Sequence, residues 1–236
     1  MKKCSRIINN SLIIIAGIAL FLVIILGSFS IMIFYEGFYF DEYAKNHVYD
    51  KLSANRTEAI NQATAITNNI FDFFHYKSQL GYFTSDEKSH MEDVRSLIMT
   101  MRYIYYTSAL AFVAIFLALY FRFRKEAKEA VHFHFIRLLS RILLIGSITA
   151  LAFILMLFLM SVFYFSLTFL IFHQLFFPGG NWMFDTSSLL ITLFPEQFFF
   201  DITLRIFVYA ILQGVVFLLI GWWLRKNVRL HERFHR

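Results

Sequence analysis

Ile142–Phe172 reads ILLIGSITALAFILMLFLMSVFYFSLTFLIF, 31 residues without a charge. A bilayer core of about 30 Å needs about 20 helical residues, so this run spans a membrane with several turns to spare. At 1.5 Å per residue it extends about 46 Å, and no turn signal interrupts it. The expectation is one tilted or protruding helix whose last turns rise beyond the lipid. Three more runs qualify. Leu12–Tyr35 and Ile104–Phe121 carry no charge, and Ile202–Leu224 carries only Arg205. The composition agrees: of 236 residues, 58% are hydrophobic and 16% charged, with a mean hydropathy of +0.60. That is too apolar for an ordinary soluble domain. A signal peptide is the rival reading of the first run, since MKK precedes it, but the run is longer than a signal core and no small-residue cleavage site follows.

Charge sets the orientation. Lys2, Lys3 and Arg6 precede the first run; Arg122, Arg124, Lys125, Lys128, Arg137 and Arg141 separate the second and third; Arg225, Lys226, Arg229, Arg233 and Arg236 follow the fourth. These segments hold fourteen basic residues against Glu126, Glu129 and Glu232, whereas the other two connections hold seven basic and thirteen acidic residues. The positive-inside rule therefore puts both termini in the cytoplasm and residues 36–103 and 173–201 outside. The expected fold is an all-α integral membrane protein with four transmembrane helices and a small extracellular helical cap, all one membrane domain. The net charge of +6 is explained by membrane orientation rather than nucleic acid. The single cysteine, Cys4, excludes an internal disulfide and any multi-cysteine metal site.

Within the first outer connection, Asn55 and Glu58 have capping-box spacing ahead of Ile66, Ile70 and Phe73 or Phe74 at helical intervals. Thr84 and Glu87 repeat the spacing before SHMEDVRSLIMTMRYIYY, which is expected to run as a helix into the second span. The second outer connection, HQLFFPGGNWMFDTSSLLITLFPEQFF (173–199), contains both prolines and neither lysine nor arginine. Pro178, Gly179 and Gly180 predict a turn after the third span. The stretch is longer than a simple helix–helix link requires and is rich in polar and aromatic residues, which makes it the first place to look for chemistry.

Four histidines, His47, His75, His90 and His173, fall on the outer side. Asp93 lies three residues after His90, on the same helical face, where it can hold the imidazole; from the spacing alone, ordinary surface charge patterning is the favoured reading. His173 has the alternative of a helix C-terminal cation. Asp185 is expected to cap a short helix, and Trp182 to anchor at the interface. Arg205, costly in an apolar run unless paired, has Asp201 four residues before it; an ion pair and a substrate-facing role stay open. Ser161 and Ser166 suit helix-to-helix hydrogen bonds. No GxSxG and no HExxH occurs, so neither a serine nucleophile nor a metal ligand set is read, and no cofactor is expected.

SHMEDVRSL, FHQLFFPGGNWMF, FDTSSLL and LFPEQFF, in that order across four spans, resemble the bacterial lipoprotein intramolecular transacylase family, Lit. The resemblance covers essentially the whole chain. It implies a multi-pass enzyme of the bacterial cytoplasmic membrane with two catalytic histidines, His90 and His173, at the outer boundary of cap and membrane. The implied reaction moves the sn-2 acyl chain of a diacylglyceryl-modified lipoprotein to the α-amino group of its N-terminal cysteine, giving the lyso-form. Such a transfer brings its own nucleophile, which removes the need for a serine or cysteine. Two imidazoles can then divide the proton transfers. Asp93 is the candidate to orient His90. Asn181, Gln174 and the backbone near Gly179 and Gly180 are candidate oxyanion donors. Phe176, Phe177, Trp182 and Phe184 are candidates to enclose lipid tails, with Arg205 as a further substrate contact. In the family the segment after WxFD often continues with proline and a second aspartate; Thr186 and Leu189 stand here, so no second carboxylate is assigned. The partners are the lipoprotein substrate and membrane lipid. Two other readings use the same residues: another membrane acyltransferase or hydrolase, metal-assisted or not, and a non-enzymatic membrane subunit.

Overall fold

The computed structural model describes residues 2–123 and 128–234. Arg124, Lys125, Glu126, His235 and Arg236 lie outside the described residues, as do the side chains of Lys2, Lys3, Cys4, Arg6, Arg122, Lys128, Glu129, His132, His231, Glu232 and Arg233. Among the described residues eight helices follow in order: α1 (Lys2–Met32), α2 (Glu36–Lys45), α3 (Val48–Leu52), α4 (Arg56–Phe74), α5 (Ser85–Phe123), α6 (Lys128–Phe176), α7 (Leu189–Leu193) and α8 (Glu196–Phe234). No strand occurs among the described residues. Helices α1, α5, α6 and α8 are long and apolar enough to cross a membrane. The protein is an all-α integral membrane protein.

Its helices gather into two compact units. One comprises residues 1–29, 101–158 and 206–236. Here close approach replaces the hydrophobic driving force that lipid cannot supply between helices. A Cβ on Gly146 would lie 3.0 Å from the Gly17 carbonyl oxygen and 2.9 Å from Leu20, so α1 and α6 meet almost backbone to backbone. Ile13, Ala16, Leu119, Leu138 and Ile142 form the adjoining core. A half-buried polar bridge joins α1 to α8: Gln213 Nε2 donates to Ser28 Oγ at 2.8 Å, and Ser28 donates to the Ile24 carbonyl. The opposite faces expose Ile14, Ile18, Leu110, Val113, Leu155, Val216 and Leu219, a surface suited to lipid.

The second unit comprises residues 30–100 and 159–205. Asn55 caps α4 by accepting from Thr57 N and Glu58 N, and the expected face of Ile66, Ile70, Phe73 and Phe74 is buried. Glu58 does not close the box; its Oε2 accepts from Ser53 Oγ. Phe38, Tyr39, Tyr43, Phe194 and Phe198 fill the interior with edge-to-face and tilted ring pairs, Phe38 and Phe198 having centroids 5.3 Å apart. Asn69 pins the Gly81 connection by accepting from Gly81 N and donating to the Gln79 carbonyl.

Three local expectations come out differently. Tyr164 has φ −142° and ψ 45°, so α6 is two helical pieces meeting at a kink rather than one straight helix. No proline or glycine causes it. The Thr168 hydroxyl donates into the ladder, 3.0 Å from the Tyr164 carbonyl and 3.3 Å from that of Met160, which is one of the recognised ways to break a helix. Asp201 is paired with Lys45 and Gln197 rather than Arg205, whose guanidinium lies 4.7 Å above the Phe38 ring. Ser188, not Asp185, is the N-cap of α7. Asp185 instead closes a tight turn, accepting from Ser187 N and Oγ. Ser166 fulfils its helix-to-helix role, donating to Glu196 at the start of α8.

Candidate active site

His90 and His173 both lie in the second unit. The helix carrying His90 starts with a complete capping box: Glu87 N donates to Thr84 Oγ1, while Thr84 N donates to Glu87 Oε2 at 2.8 Å. The other carboxylate oxygen of Glu87 reaches the second connection, accepting from Ser188 Oγ at 2.6 Å and Leu190 N at 3.1 Å. One buried carboxylate thus ties the turn before His90 to the loop that follows His173. Half of this was legible as a capping box; the ties to Ser188 and Leu190 have no sequence signal.

His173 stands one turn before the end of α6. Its carbonyl accepts from Phe177 N, and the Phe177 carbonyl accepts from Gly180 N, so the chain curls tightly around Pro178. Gly180 has φ +73°, a backbone conformation that suits glycine. The curl returns Trp182 to the histidine, with ring centroids 4.9 Å apart. Phe177 lies 4.8 Å from the His90 ring and 5.5 Å from that of His173, and Phe184 is 5.6 Å from His90. The two imidazoles are 6.3 Å apart at 25°. They are 8% and 7% exposed, so each is held in an apolar, aromatic surround.

Their protonation follows from their partners. His173 Nδ1 sits 2.8 Å from the Phe169 carbonyl oxygen. A carbonyl only accepts, so Nδ1 carries the hydrogen, and in the neutral ring Nε2 is a bare base. His90 Nδ1 is buried without a partner. A bare lone pair is less costly to bury than an orphaned N–H, so the hydrogen of neutral His90 belongs on Nε2. His90 precedes the uncharged run by more than three turns. Burial, reinforced by nearby His173 and opposed by Asp93, holds its imidazolium form down to about 4.

Among the other expected residues, Asp93 and Asn181 join this cluster, but not as anticipated. Asn181 Nδ2 donates to Asp93 Oδ2 at 2.8 Å and to Ser89 Oγ at 3.2 Å. Asp93 is therefore engaged by Asn181 and makes no hydrogen bond to His90 Nδ1. With its NH₂ group committed and only an acceptor oxygen free, Asn181 is unsuited to stabilise an oxyanion. Gln174 and Phe176 are exposed beside the site. Among the described residues no group of three or more His, Cys, Asp or Glu side chains is arranged to hold a metal ion.

The family model described as "Lipoprotein intramolecular transacylase Lit" matches residues 14–199. The chain belongs to the Lit family. Its fold is similar to that of Lit from Bacillus cereus solved in meso, at 18% identity over 94% of this chain and 98% of that one, with a TM-score of 0.78. Two variants of that B. cereus Lit, with one histidine replaced by arginine or by alanine, are similar at 16% identity and TM-scores of 0.75 and 0.76. They cover 97% of this chain and 97% and 98% of their own. No curated protein matches the sequence.

Proposed function

We propose that this member of the Lit family is a lipoprotein N-terminal intramolecular transacylase working through His173 and His90. Family membership makes it an acyltransferase. The observation that carries the finer reading is the buried pair of imidazoles, 6.3 Å apart, walled by Phe177, Trp182 and Phe184. The substrate is a diacylglyceryl-modified lipoprotein in the membrane, and its cysteine α-amine is the nucleophile. As the nitrogen attacks the sn-2 ester carbonyl carbon, His173 Nε2 takes its proton. The C–N bond forms, the ester C–O bond breaks, and His173 returns the proton to the departing glyceryl oxygen. No water enters the balance. His90, kept neutral by burial, donates its Nε2–H to the developing oxyanion without needing to ionise. This divides the labour differently from two alternating proton carriers, because a neutral imidazole donor and a single shuttling base leave both rings restored after each turnover.

The aromatic wall would hold acyl chains against the reacting centre and exclude water, which favours transfer over hydrolysis. Gln174 and Phe176, both exposed, belong to its rim. Arg205, exposed and with one guanidinium face over the Phe38 ring, keeps its N–H groups for a substrate contact outside the histidine pair. We further propose one multi-pass membrane domain in the bacterial cytoplasmic membrane, with spans near 12–35, 104–121, 142–172 and 202–224 and a cap from 36–103 and 173–201. Both termini would be cytoplasmic and the site at the outer face, a reading supported by the basic residues flanking the spans.

His173→Ala and His90→Ala, each checked for membrane insertion, should reduce lyso-lipoprotein formation by about 10²–10⁴-fold, read by mass spectrometry of lipoprotein N-termini. Normal lyso-form product from either variant would overturn that residue's role, and free fatty acid as the wild-type product would make the enzyme a hydrolase.

A further inference from the structure

We propose that Asn181 and Asp93 form an amine-binding subsite that holds the substrate's α-amino nitrogen beside His173; the assignment rests on the transacylase reading and names the atoms that recognise its nucleophile. The amide of Asn181 has only one sensible orientation. Asp93 ionised is an acceptor, so the Asn181 NH₂ group must face it, and the second N–H is taken by Ser89. Asn181 Oδ1 is therefore turned away from these partners. It is buried and has none of its own.

That orphaned oxygen is one of three buried side-chain polar atoms without a partner among the described residues, and a second of the three, His90 Nδ1, lies in the same cluster. Such atoms are rare enough in folded proteins that each asks for an explanation, and a ligand is one of the few available. Both are acceptors. With the second oxygen of Asp93 and the bare Nε2 of His173, the cluster offers acceptors in excess, while His90 Nε2–H is its donor toward the oxyanion. The ligand that complements such a set is rich in N–H groups. A primary amine or its ammonium form brings two or three, an alcohol only one, and a carboxylate or phosphate none. The rings of Trp182 and Phe177 beside His173 add faces attractive to a cation, and no lysine or arginine lies anywhere from His173 to Asp201 to repel one. A Cβ at either Gly179 or Gly180 would meet nothing within 4 Å, so open space adjoins the turn leading to Asn181.

The test uses the full-length protein and two synthetic S-(dialkylglyceryl)cysteinyl peptides, one with a free α-amine and one N-acetylated. Their ether-linked chains cannot be transferred, so binding is read without turnover. The wild type should bind the free amine about tenfold or more tightly than its acetylated twin, the scale expected of hydrogen bonds to a charged group. Asn181→Leu and Asp93→Asn should each reduce the preference to within about threefold. Ser89→Ala, which loosens the same loop tie but removes neither amine acceptor, should keep it. Equal binding of the two peptides by the wild type overturns the subsite, as does a preference that survives in both Asn181→Leu and Asp93→Asn. Loss of the preference in Ser89→Ala as complete as in Asn181→Leu also overturns it, because loop anchoring would then be the cause. Lyso-lipoprotein formation by the wild type is measured alongside with the ester substrate: product without amine preference removes the subsite alone, whereas no product removes the transacylase reading.

Discussion

Replacing Glu87 by glutamine changes one oxygen to an NH₂ group in a side chain that is 2% exposed and accepts four hydrogen bonds. The donors come in two pairs. Oε2 serves the backbone N–H and hydroxyl of Thr84, and Oε1 serves the hydroxyl of Ser188 and the backbone N–H of Leu190. Either hydroxyl can rotate and become an acceptor for the new amide. Neither backbone amide can. Whichever way glutamine turns, one backbone N–H is left without an acceptor, at a cost of about 1–3 kcal/mol. At about 2–4 °C per kcal/mol for a chain of this size, the midpoint of thermal unfolding in detergent should fall by about 2–12 °C. Hydrogen exchange should show one of the two amides, Thr84 or Leu190, losing protection while the other retains it. The carboxylate also sets a pH signature. Burial raises its pKa, but the donors from Ser188, Thr84 and Leu190 outweigh burial and hold it below the usual value. The stabilisation is present above the ordinary carboxylate range and lost as pH falls through it, so the gap between wild type and variant should close in acid. A Gln variant that melts within about 1 °C of wild type with both amides protected would refute the reasoning.

Burial and His173 hold His90 near 4 against an unperturbed 6.5. The unfolded chain therefore binds a proton at higher pH than the folded one, and stability should erode as pH falls from about 6.5 toward 4. His90→Gln should show a shallower fall in melting temperature over that window, and parallel curves for the two proteins would exclude the effect. In the first unit, Gly146→Leu should separate α1 from α6, because even a Cβ would stand 3.0 Å from the Gly17 carbonyl oxygen, which cannot move without its helix. The expected result is a loss of about 1–3 kcal/mol, the range for overpacking, seen as reduced thermal stability; an unchanged melt would show that the contact is loose.

What the sequence made legible was whatever depends on near neighbours. Long apolar runs marked the four long helices, and capping-box spacing marked the start of α4 and of α5. The pairing of His90 with His173 came from a different source, resemblance, since no spacing rule connects residues so far apart. Where local logic and tertiary contact competed, contact won. Asp93 is well placed by its i, i+3 spacing to serve His90, yet Asn181, 88 residues away, takes its carboxylate. Asp201 is well placed for Arg205, yet Lys45, 156 residues away, takes it. Asp185 had a cap to make but found Ser187 two residues on, leaving Ser188 to start α7. The kink at Tyr164 was hidden for another reason. It arises where a threonine hydroxyl enters the helix ladder, and no proline or glycine marks the place in the sequence.

That kink turns the end of α6 into a short lever with His173 near its tip. Nine residues separate Tyr164 from His173, a reach of about 14 Å at helical rise. A swing of about ten degrees at the fulcrum would carry the imidazole roughly 2 Å, the difference between a hydrogen bond and none. The aim of the proposed base is therefore set by a single backbone position in the apolar part of the chain, well away from the residues it would act upon.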